Sequence, residues 1–328
     1  MRAWTVPRLG EPDEVLTLAD VPDPEPGEGQ VLVRVAAAAA NFADILYVRG
    51  EYQERPSLPF VPGLEAAGEV VAAGPGAPFA PGDRVLGAPT LPVGGFGELT
   101  LLDADRVFAW PAGMTAAQAA GFHVSYQTGW CALHHRTTLD AGETLLVHSA
   151  AGGVGAAAVQ LGKAAGARVI AVVGAAEKIP VARRLGADEV LGPDDDLVPA
   201  VRALTDGRGV DVVYDPVGGD VFDASRRVVA FEGRLLVIGF AGGRIADAPT
   251  NHVLVKNYGV IGVHWSAYRQ HAPELIAAWH RELLGLWERG AIDPLVGGEY
   301  AFEELPAAFA ALAARSTTGR VVLVNSRS

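Results

Sequence analysis

The segment Ala150-Ala-Gly-Gly-Val-Gly155 has the spacing A-x-G-x-x-G. It separates an apolar run of strand length, Thr144-Leu-Leu-Val-His-Ser149, from a helical periodicity at Val154, Ala157, Leu161 and Ala165. Small residues at such a turn let backbone N–H groups and a helix N-terminus approach an anion such as a pyrophosphate, where Cβ atoms would block the way. Glycine alone carries little weight, since 40 of 328 residues are Gly and further Gly-Gly pairs occur at 94–95, 218–219, 242–243 and 297–298. Only the 152–153 pair opens a complete βαβ unit of the expected size. The competing reading is a tight βα turn that binds nothing. An acid that binds the adenosine ribose of NAD belongs about 20 residues further on, at the tip of the next strand. That tip reads Val172-Val-Gly174-Ala-Ala176 and carries no carboxylate; Lys178 follows, with Arg183 and Arg184 beyond. Room for a 2′-phosphate beside an ammonium favours NADPH. Glu177 is the opposing feature, and all these charges also suit a solvated helix face.

Other reactive groups are scattered. Asn41 and Asp44 stand three residues apart, and Tyr47, Tyr52, Tyr126 and Trp265 are candidate pocket aromatics, although packing alone explains each of them singly. Tyr52 is the candidate proton donor or substrate hydrogen bond, with protonation from solvent as the alternative. His148, alone in an apolar strand, reads as a satisfied core or pocket residue. A single Cys, Cys131, excludes an internal disulfide and any Cys-cluster metal site.

The elements around these residues fall into two styles. Gln30-Val-Leu-Val-Arg-Val35, Gly68-Glu-Val-Val-Ala-Ala73 and Gly95–Leu102 read as short strands separated by Pro/Gly turns, which suggests a small barrel or sandwich. From Thr115 an Ala-rich helical stretch leads into alternating strands and helices. The strands are Arg168–Val173, Glu189–Leu191, Val210–Tyr214, Arg234–Ile238 and Val260–Val263. Apolar strands of this type are buried on both faces of a parallel sheet, so a doubly wound α/β domain is expected. The tail, with a strand at Gly298–Phe302, a helix carrying Leu305, Phe309 and Leu312, and Arg320-Val-Val-Leu-Val324, returns to the style of the beginning. The expected domains are therefore 1–120 completed by 266–328, and 121–265.

At one domain per roughly 150 residues, a length of 328 also suggests two. Half the residues are apolar, which excludes disorder of the whole chain. A net charge of −12 argues against non-specific nucleic-acid or anionic-membrane binding. The start, Met1-Arg-Ala-Trp-Thr-Val-Pro7, lacks the apolar stretch of a signal peptide, and Ala36–Ala40 is too short to span a membrane. A soluble, cytoplasmic protein is expected.

Taken together the chain resembles the zinc-independent quinone oxidoreductase branch of the medium-chain dehydrogenase/reductase superfamily. The co-linear order of several segments carries the resemblance. They are Gln30–Arg34, Asn41-Phe-Ala-Asp44, Pro62-Gly-Leu-Glu-Ala-Ala-Gly68, Gly82-Asp-Arg-Val85, Gly94-Gly-Phe-Gly-Glu98, Ala150–Gly155, Asp211-Val-Val-Tyr-Asp215 and Thr317-Thr-Gly-Arg320. The resemblance implies a doubly wound Rossmann domain inserted in a GroES-like β-barrel domain, NADPH in the cleft, and commonly a homodimer. It implies Asn41 and Asp44 at the nicotinamide and its ribose, Thr128 beside the cofactor, and Ala151, Gly152, Gly153 and Val154 at the pyrophosphate. It also implies Gly174 and Lys178 on the adenosine side. Loops at Val217, Gly239-Phe240 and Val263-His264, with Thr318, would complete the cofactor site. Many relatives carry a Tyr after the third Rossmann strand; here Leu191-Gly192-Pro193 stands there, and Arg183 could compensate. Zinc-dependent relatives place a Cys where Asn41 stands and a His where Leu64 stands, and neither residue present here suits zinc.

Without a Lewis acid, a conjugated acceptor is the easiest partner for hydride, because conjugation disperses the incoming charge. The implied activity is NADPH-dependent reduction of a quinone, with Asn41, Tyr52 and Thr128 as candidate catalytic residues. The alternatives are reduction of the C=C bond of enones, 2-alkenals or enoyl thioesters, and an NADPH-binding structural or sensing protein with little turnover.

Overall fold

The computed structural model describes residues 1–325. Two units emerge, one formed by Met1–Val124 with the chain from Pro294 onward, the other by Ser125–Asp293.

The first unit is built around the long strand Gln30–Ala40. That strand pairs antiparallel with Ala66–Ala73 and Leu99–Asp103, and the strand Arg320–Val324 joins it along Ala37–Ala40. Five consecutive alanines are intrinsically good helix formers. Here they are strand, because Ala37 to Ala40 are all buried between the tail strand on one side and Ala66–Ala73 on the other. Tertiary pairing overrides propensity where only small side chains fit. The core next to this strand includes Trp4, Phe96, Phe302 and Phe309. Phe96 and Phe309 meet edge to face, and the Trp4 indole N–H donates to the Phe302 carbonyl at 2.8 Å. The C-terminal return anticipated from the tail's composition is thus structural: it supplies both a strand and a third of the buried residues of this core.

The second unit carries six parallel strands. Across the sheet they run Glu189–Leu191, Arg168–Val172, Thr144–Val147, Val210–Asp215, Val229–Val237 and Gly259–Gly262. Numbered within this sheet the order is 3-2-1-4-5-6, which reverses direction between Thr144–Val147 and Val210–Asp215. Ligands of such sheets lie outside the carboxyl ends of the strands at that switch point. The apolar strand runs are buried on both faces, as their composition requires: Leu145, Leu146, Val147, Val169, Ile170 and Ala171 are all buried.

The boundaries differ from those read in the sequence. The first falls inside the helix Ala116–Trp130, between Val124 and Ser125, and the second between Asp293 and Pro294 rather than at 265/266. The reason is the amphipathic helix Pro273–Glu288, which packs with the second unit instead of returning with the tail. Gln127 donates to the Ile276 carbonyl at 3.1 Å, and Trp279 packs against His135 and Tyr268. Among the described residues no helix is long and apolar enough to cross a membrane.

Candidate functional site

The Gly-rich turn of the second unit leaves the strand Thr144–Val147 and enters the helix Gly153–Ala164. Ser149 adopts a left-handed conformation with φ 50°, and the Gly152 N–H returns to its carbonyl at 2.9 Å. Gly152 is the N-cap, and no side chain caps the helix, so its first N–H groups are not covered by a side-chain acceptor. A Cβ on Gly155 would lie 2.1 Å from the Ser149 carbonyl oxygen, so this position tolerates only glycine. Such a turn is a cradle for an anion, with the helix dipole directed into it.

The other residues expected around a dinucleotide gather at the same edge. Gly174 follows the strand Arg168–Val172, Val217 follows Val210–Asp215, Gly239 and Phe240 follow Val229–Val237, and Val263 and His264 follow Gly259–Gly262. All these strands are parallel, so their carboxyl ends lie on one side. Asp215 shapes its loop: it is buried, and its carboxylate accepts from the N–H groups of Val217 at 2.8 Å and Gly218 at 2.9 Å. Burial holds its pKa above the ordinary carboxylate value. Lys178 ends a short 3-10 turn and is half-buried; that burial lowers its pKa, against the opposing pull of Glu177. Arg183 lies on the helix Ile179–Arg184 with its side chain exposed. Thr128 is buried on the helix Ala116–Trp130.

In the first unit Asn41 precedes the helix Phe42–Arg49, and the carboxylate of Asp44 reaches back to accept its backbone N–H at 2.8 Å. The Asn41 amide N donates to Glu65 at 3.0 Å and to the Ala39 carbonyl at 3.3 Å, while its oxygen accepts from Arg320 at 2.9 Å. Glu65 also accepts from Arg320 and, at 2.9 Å, from the Val124 backbone N–H. Asn41, Asp44, Glu65 and Arg320 are 6, 1, 0 and 6 % exposed, so this is an ionic cluster shut away from water. Two acids share one base. Burial accordingly pushes Asp44 up to about 7 and brings Arg320 down to about 10, which leaves the guanidinium charged at neutral pH. Glu65 and Arg320 had no assigned site role in the sequence, yet each left a signal: a charged residue inside a buried small or apolar stretch requires a partner.

This donor set does not fit a divalent metal. The Glu65 carboxylate is already occupied by a guanidinium and two N–H groups, Leu64 offers no donor, and among the described residues no cluster of three His, Cys, Asp or Glu could hold an ion.

The candidate aromatics have separate roles. Tyr52 stacks on Tyr47 with ring centroids 4.4 Å apart, and the Tyr47 hydroxyl donates to Glu54 at 3.0 Å. Beside Tyr47 opens a cavity of about 180 Å³, lined also by Arg55, Ser57 and Leu91. Tyr126, by contrast, is buried and donates to Gln160 at 2.7 Å. Gln160 in turn holds both the N–H and the carbonyl of Asp293 at 2.8 Å, so Tyr126 belongs to a structural clamp rather than a pocket. Trp265 is buried with the Arg269 guanidinium 4.9 Å from its ring. His148 is a satisfied core residue: its Nε2 lies 2.6 Å from the Ser225 hydroxyl, and burial lowers its pKa to about 4. Thr318 lies half-buried just before Arg320.

A sheet wound in this order, with a glycine turn at its switch point and a largely antiparallel domain completed from the C-terminus, defines a class of nicotinamide-dependent oxidoreductases. The sequence pattern described as the alcohol dehydrogenase GroES-like domain matches residues 27–112, and that described as zinc-binding dehydrogenase matches residues 153–281. The chain is 38 % identical over 315 residues to the quinone oxidoreductase of Pseudomonas aeruginosa, covering 95 % of this chain and 96 % of that protein. It is 38 % identical over 297 residues to quinone oxidoreductase-like protein 2 of Bos taurus, covering 90 % and 84 %. Among solved structures, the Escherichia coli quinone oxidoreductase complexed with NADPH superposes with a TM-score of 0.91 at 30 % identity, covering 99 % of this chain and 100 % of that one. A mycobacterial protein complexed with NADPH gives 0.92 at 33 %, with coverage of 99 % and 100 %. The chain belongs to the quinone oxidoreductase branch of the medium-chain dehydrogenase/reductase family.

Proposed function

We propose that this protein is an NADPH-dependent reductase of quinones. The observation that carries the cofactor half is the turn at Ser149–Gly155, whose glycine approach and uncapped helix N-terminus suit a pyrophosphate at the switch point of the sheet. The relatives with quinone oxidoreductase names and the neighbours complexed with NADPH support the same reading.

When bound, NADPH supplies a hydride. In this reading Ala151 to Val154 hold the pyrophosphate, and Gly174, Lys178 and Arg183 flank the adenosine 2′-phosphate. Val217, Gly239, Phe240, Val263, His264 and Thr318 close around the dinucleotide. Asn41, Asp44 and Thr128 hold the nicotinamide end, and Tyr52 hydrogen-bonds the acceptor. The donor set around Asn41 does not fit zinc, so the protein contributes orientation and exclusion of water rather than metal polarisation. A quinone suits such a site: it takes the hydride and one proton from solvent to give a hydroquinone, with its conjugation spreading the charge in between. We also place the protein in a homodimer. The strand Gly259–Gly262 is a sheet edge, and the neighbouring Leu254 and Val255 are 75 and 81 % exposed, the kind of surface that proteins cover.

The test compares NADPH-linked reduction of 1,4-benzoquinone, 9,10-phenanthrenequinone and an enone with NADP⁺-linked oxidation of simple alcohols. Quinone turnover without alcohol oxidation is expected. Alcohol oxidation without quinone turnover would overturn the reading, and enone turnover well above quinone turnover would move the assignment to a C=C reductase. NADPH binding with no turnover of any acceptor would move the assignment to an NADPH-binding structural or sensing protein.

Cofactor choice has its own test. An ammonium at Lys178 contacts a phosphate that NADH lacks. Lys178→Ala is expected to raise the KM for NADPH about tenfold, the scale of one charge-assisted hydrogen bond, and to leave that for NADH unchanged. Equal losses for both cofactors would make Lys178 structural.

A further inference from the structure

We propose that Glu65 and Arg320 are positioning residues that lock the Asn41 amide in one orientation, leaving its oxygen as the only hydrogen-bonding capacity offered to a ligand. The inference rests on the NADPH reading above.

An asparagine amide has two donor hydrogens and two acceptor lone pairs. Both hydrogens of Asn41 are committed, one to Glu65 at 3.0 Å and one to the Ala39 carbonyl at 3.3 Å. One lone pair of Oδ1 is taken by the Arg320 guanidinium at 2.9 Å. Turning the amide over would face its NH₂ against the guanidinium and its oxygen against a carboxylate and a carbonyl. Every contact would then be repulsive in a site without water, where unmatched polar groups are most costly. Glu65 cannot relax away, because Arg320 and the Val124 backbone N–H hold it as well. Arg320 comes from the tail strand Arg320–Val324 and Glu65 from the segment before Ala66–Ala73, so two distant parts of the chain fix one side chain.

The remaining lone pair can only accept. Asn41 therefore suits a donor, such as the carboxamide NH₂ of a nicotinamide or a ribose hydroxyl. It does not suit a quinone oxygen or a developing oxyanion, so Asn41 orients the cofactor and leaves polarisation of the acceptor to other groups.

The test measures dissociation constants for NADPH and for adenosine 2′,5′-bisphosphate, which lacks the nicotinamide end. It uses the wild type, Asn41→Ala, the double variant Glu65→Gln with Arg320→Met, and the triple variant. The double variant removes the charges of Glu65 and Arg320 together, and Asp44, already raised by burial, takes up a proton without the guanidinium, so no unpaired ion is left buried. Asn41→Ala and the double variant are each expected to weaken NADPH about tenfold, the size of one hydrogen bond, with bisphosphate affinity unchanged. The triple variant should be no weaker than the double, because all three residues act through one contact. If the double variant does not fold, Arg320→Lys replaces it: its ammonium keeps the charge beside Glu65 but sits one bond short of the Nη2 that donates to both Glu65 and Asn41, so it cannot hold both, and the same selective loss is expected. Wild-type NADPH affinity in the double variant or Arg320→Lys overturns the proposal. So does a triple variant showing the product of the separate losses, or a bisphosphate loss equal to the NADPH loss. Wild-type protein that binds neither ligand overturns the cofactor reading itself, and the proposal with it.

Discussion

Gly155→Ala is expected to abolish measurable NADPH binding and to lower the melting temperature by several degrees. Two effects oppose each other at this position. Replacing a helical glycine by alanine gains up to about 1 kcal/mol from backbone entropy. Against this, the new Cβ would stand 2.1 Å from the Ser149 carbonyl oxygen, 2.7 Å from its carbonyl carbon and 3.0 Å from the Ala150 Cα. All three are backbone atoms that no rotamer change can move, so the turn itself must open. Overpacking typically costs about 1–3 kcal/mol, and the rigidity of the obstacle puts this case at the upper end. The clash wins. Opening the turn also withdraws the N–H groups of Gly152 and Gly153 from the place where a pyrophosphate would lie. Gly285→Ala is the control, because it too lies in a helix of the second unit, away from the turn, and its Cβ would meet only the movable end of the Arg289 side chain at 3.2 Å. Fluorescence titration with NADPH alongside thermal melts reads both variants. Wild-type affinity in Gly155→Ala would mean that the turn is not where the dinucleotide binds.

The same glycine shows what a sequence makes legible. Its spacing between a strand and an amphipathic helix was sufficient to locate the turn, because local periodicity and the steric need for small residues are both written in adjacent positions. The parallel strands were equally visible as unbroken apolar runs. Three features were not. The strand Gln30–Ala40 extends through five alanines whose own preference is helical, and only the tail strand and Ala66–Ala73 beside them make an extended conformation favourable. The helix Pro273–Glu288 has an amphipathic pattern that says it is a helix but not which domain it covers; Trp279, packed on His135 and Tyr268, decides that. Glu65 and Arg320 are 255 residues apart, so no spacing rule joins them. What the sequence did offer was an arginine opening a buried apolar strand and a glutamate among small residues. Each implies a buried partner without naming it. Tyr126 was misleading for a related reason: an aromatic with a hydroxyl serves equally as a pocket wall and as a clamp, and only Gln160 distinguishes the two.

The buried cluster also gives the protein a pH signature. Asp44 has an ordinary pKa of 3.8, and burial raises it to about 7 in the folded protein, against the lowering influence of the Asn41 N–H and the Arg320 charge. Between those two values the folded chain holds a proton that the unfolded chain has released. The stability this contributes is therefore fully present below about pH 4 and is lost as the pH rises through 7. At roughly 1.4 kcal/mol for each tenfold change in proton affinity, the rise from 3.8 to about 7 corresponds to a loss on the order of 4 kcal/mol, large against the roughly 5–15 kcal/mol of a typical domain. Asp44→Asn removes the titration while keeping a side-chain oxygen that can accept the Asn41 N–H now bonded at 2.8 Å. The variant and the wild type should melt at similar temperatures near pH 4.5. The variant should then gain progressively, until by pH 8 it is the more stable by a few kcal/mol. Chemical denaturation of both proteins across pH 4.5–8 measures the difference directly, because the other carboxylates titrate alike in the two and cancel. A difference that stays flat with pH would mean that Asp44 is ionised throughout the range, held so by Arg320. A difference of opposite sign would mean that the charge on Asp44 stabilises the cluster, with the guanidinium neutralising both acids at once.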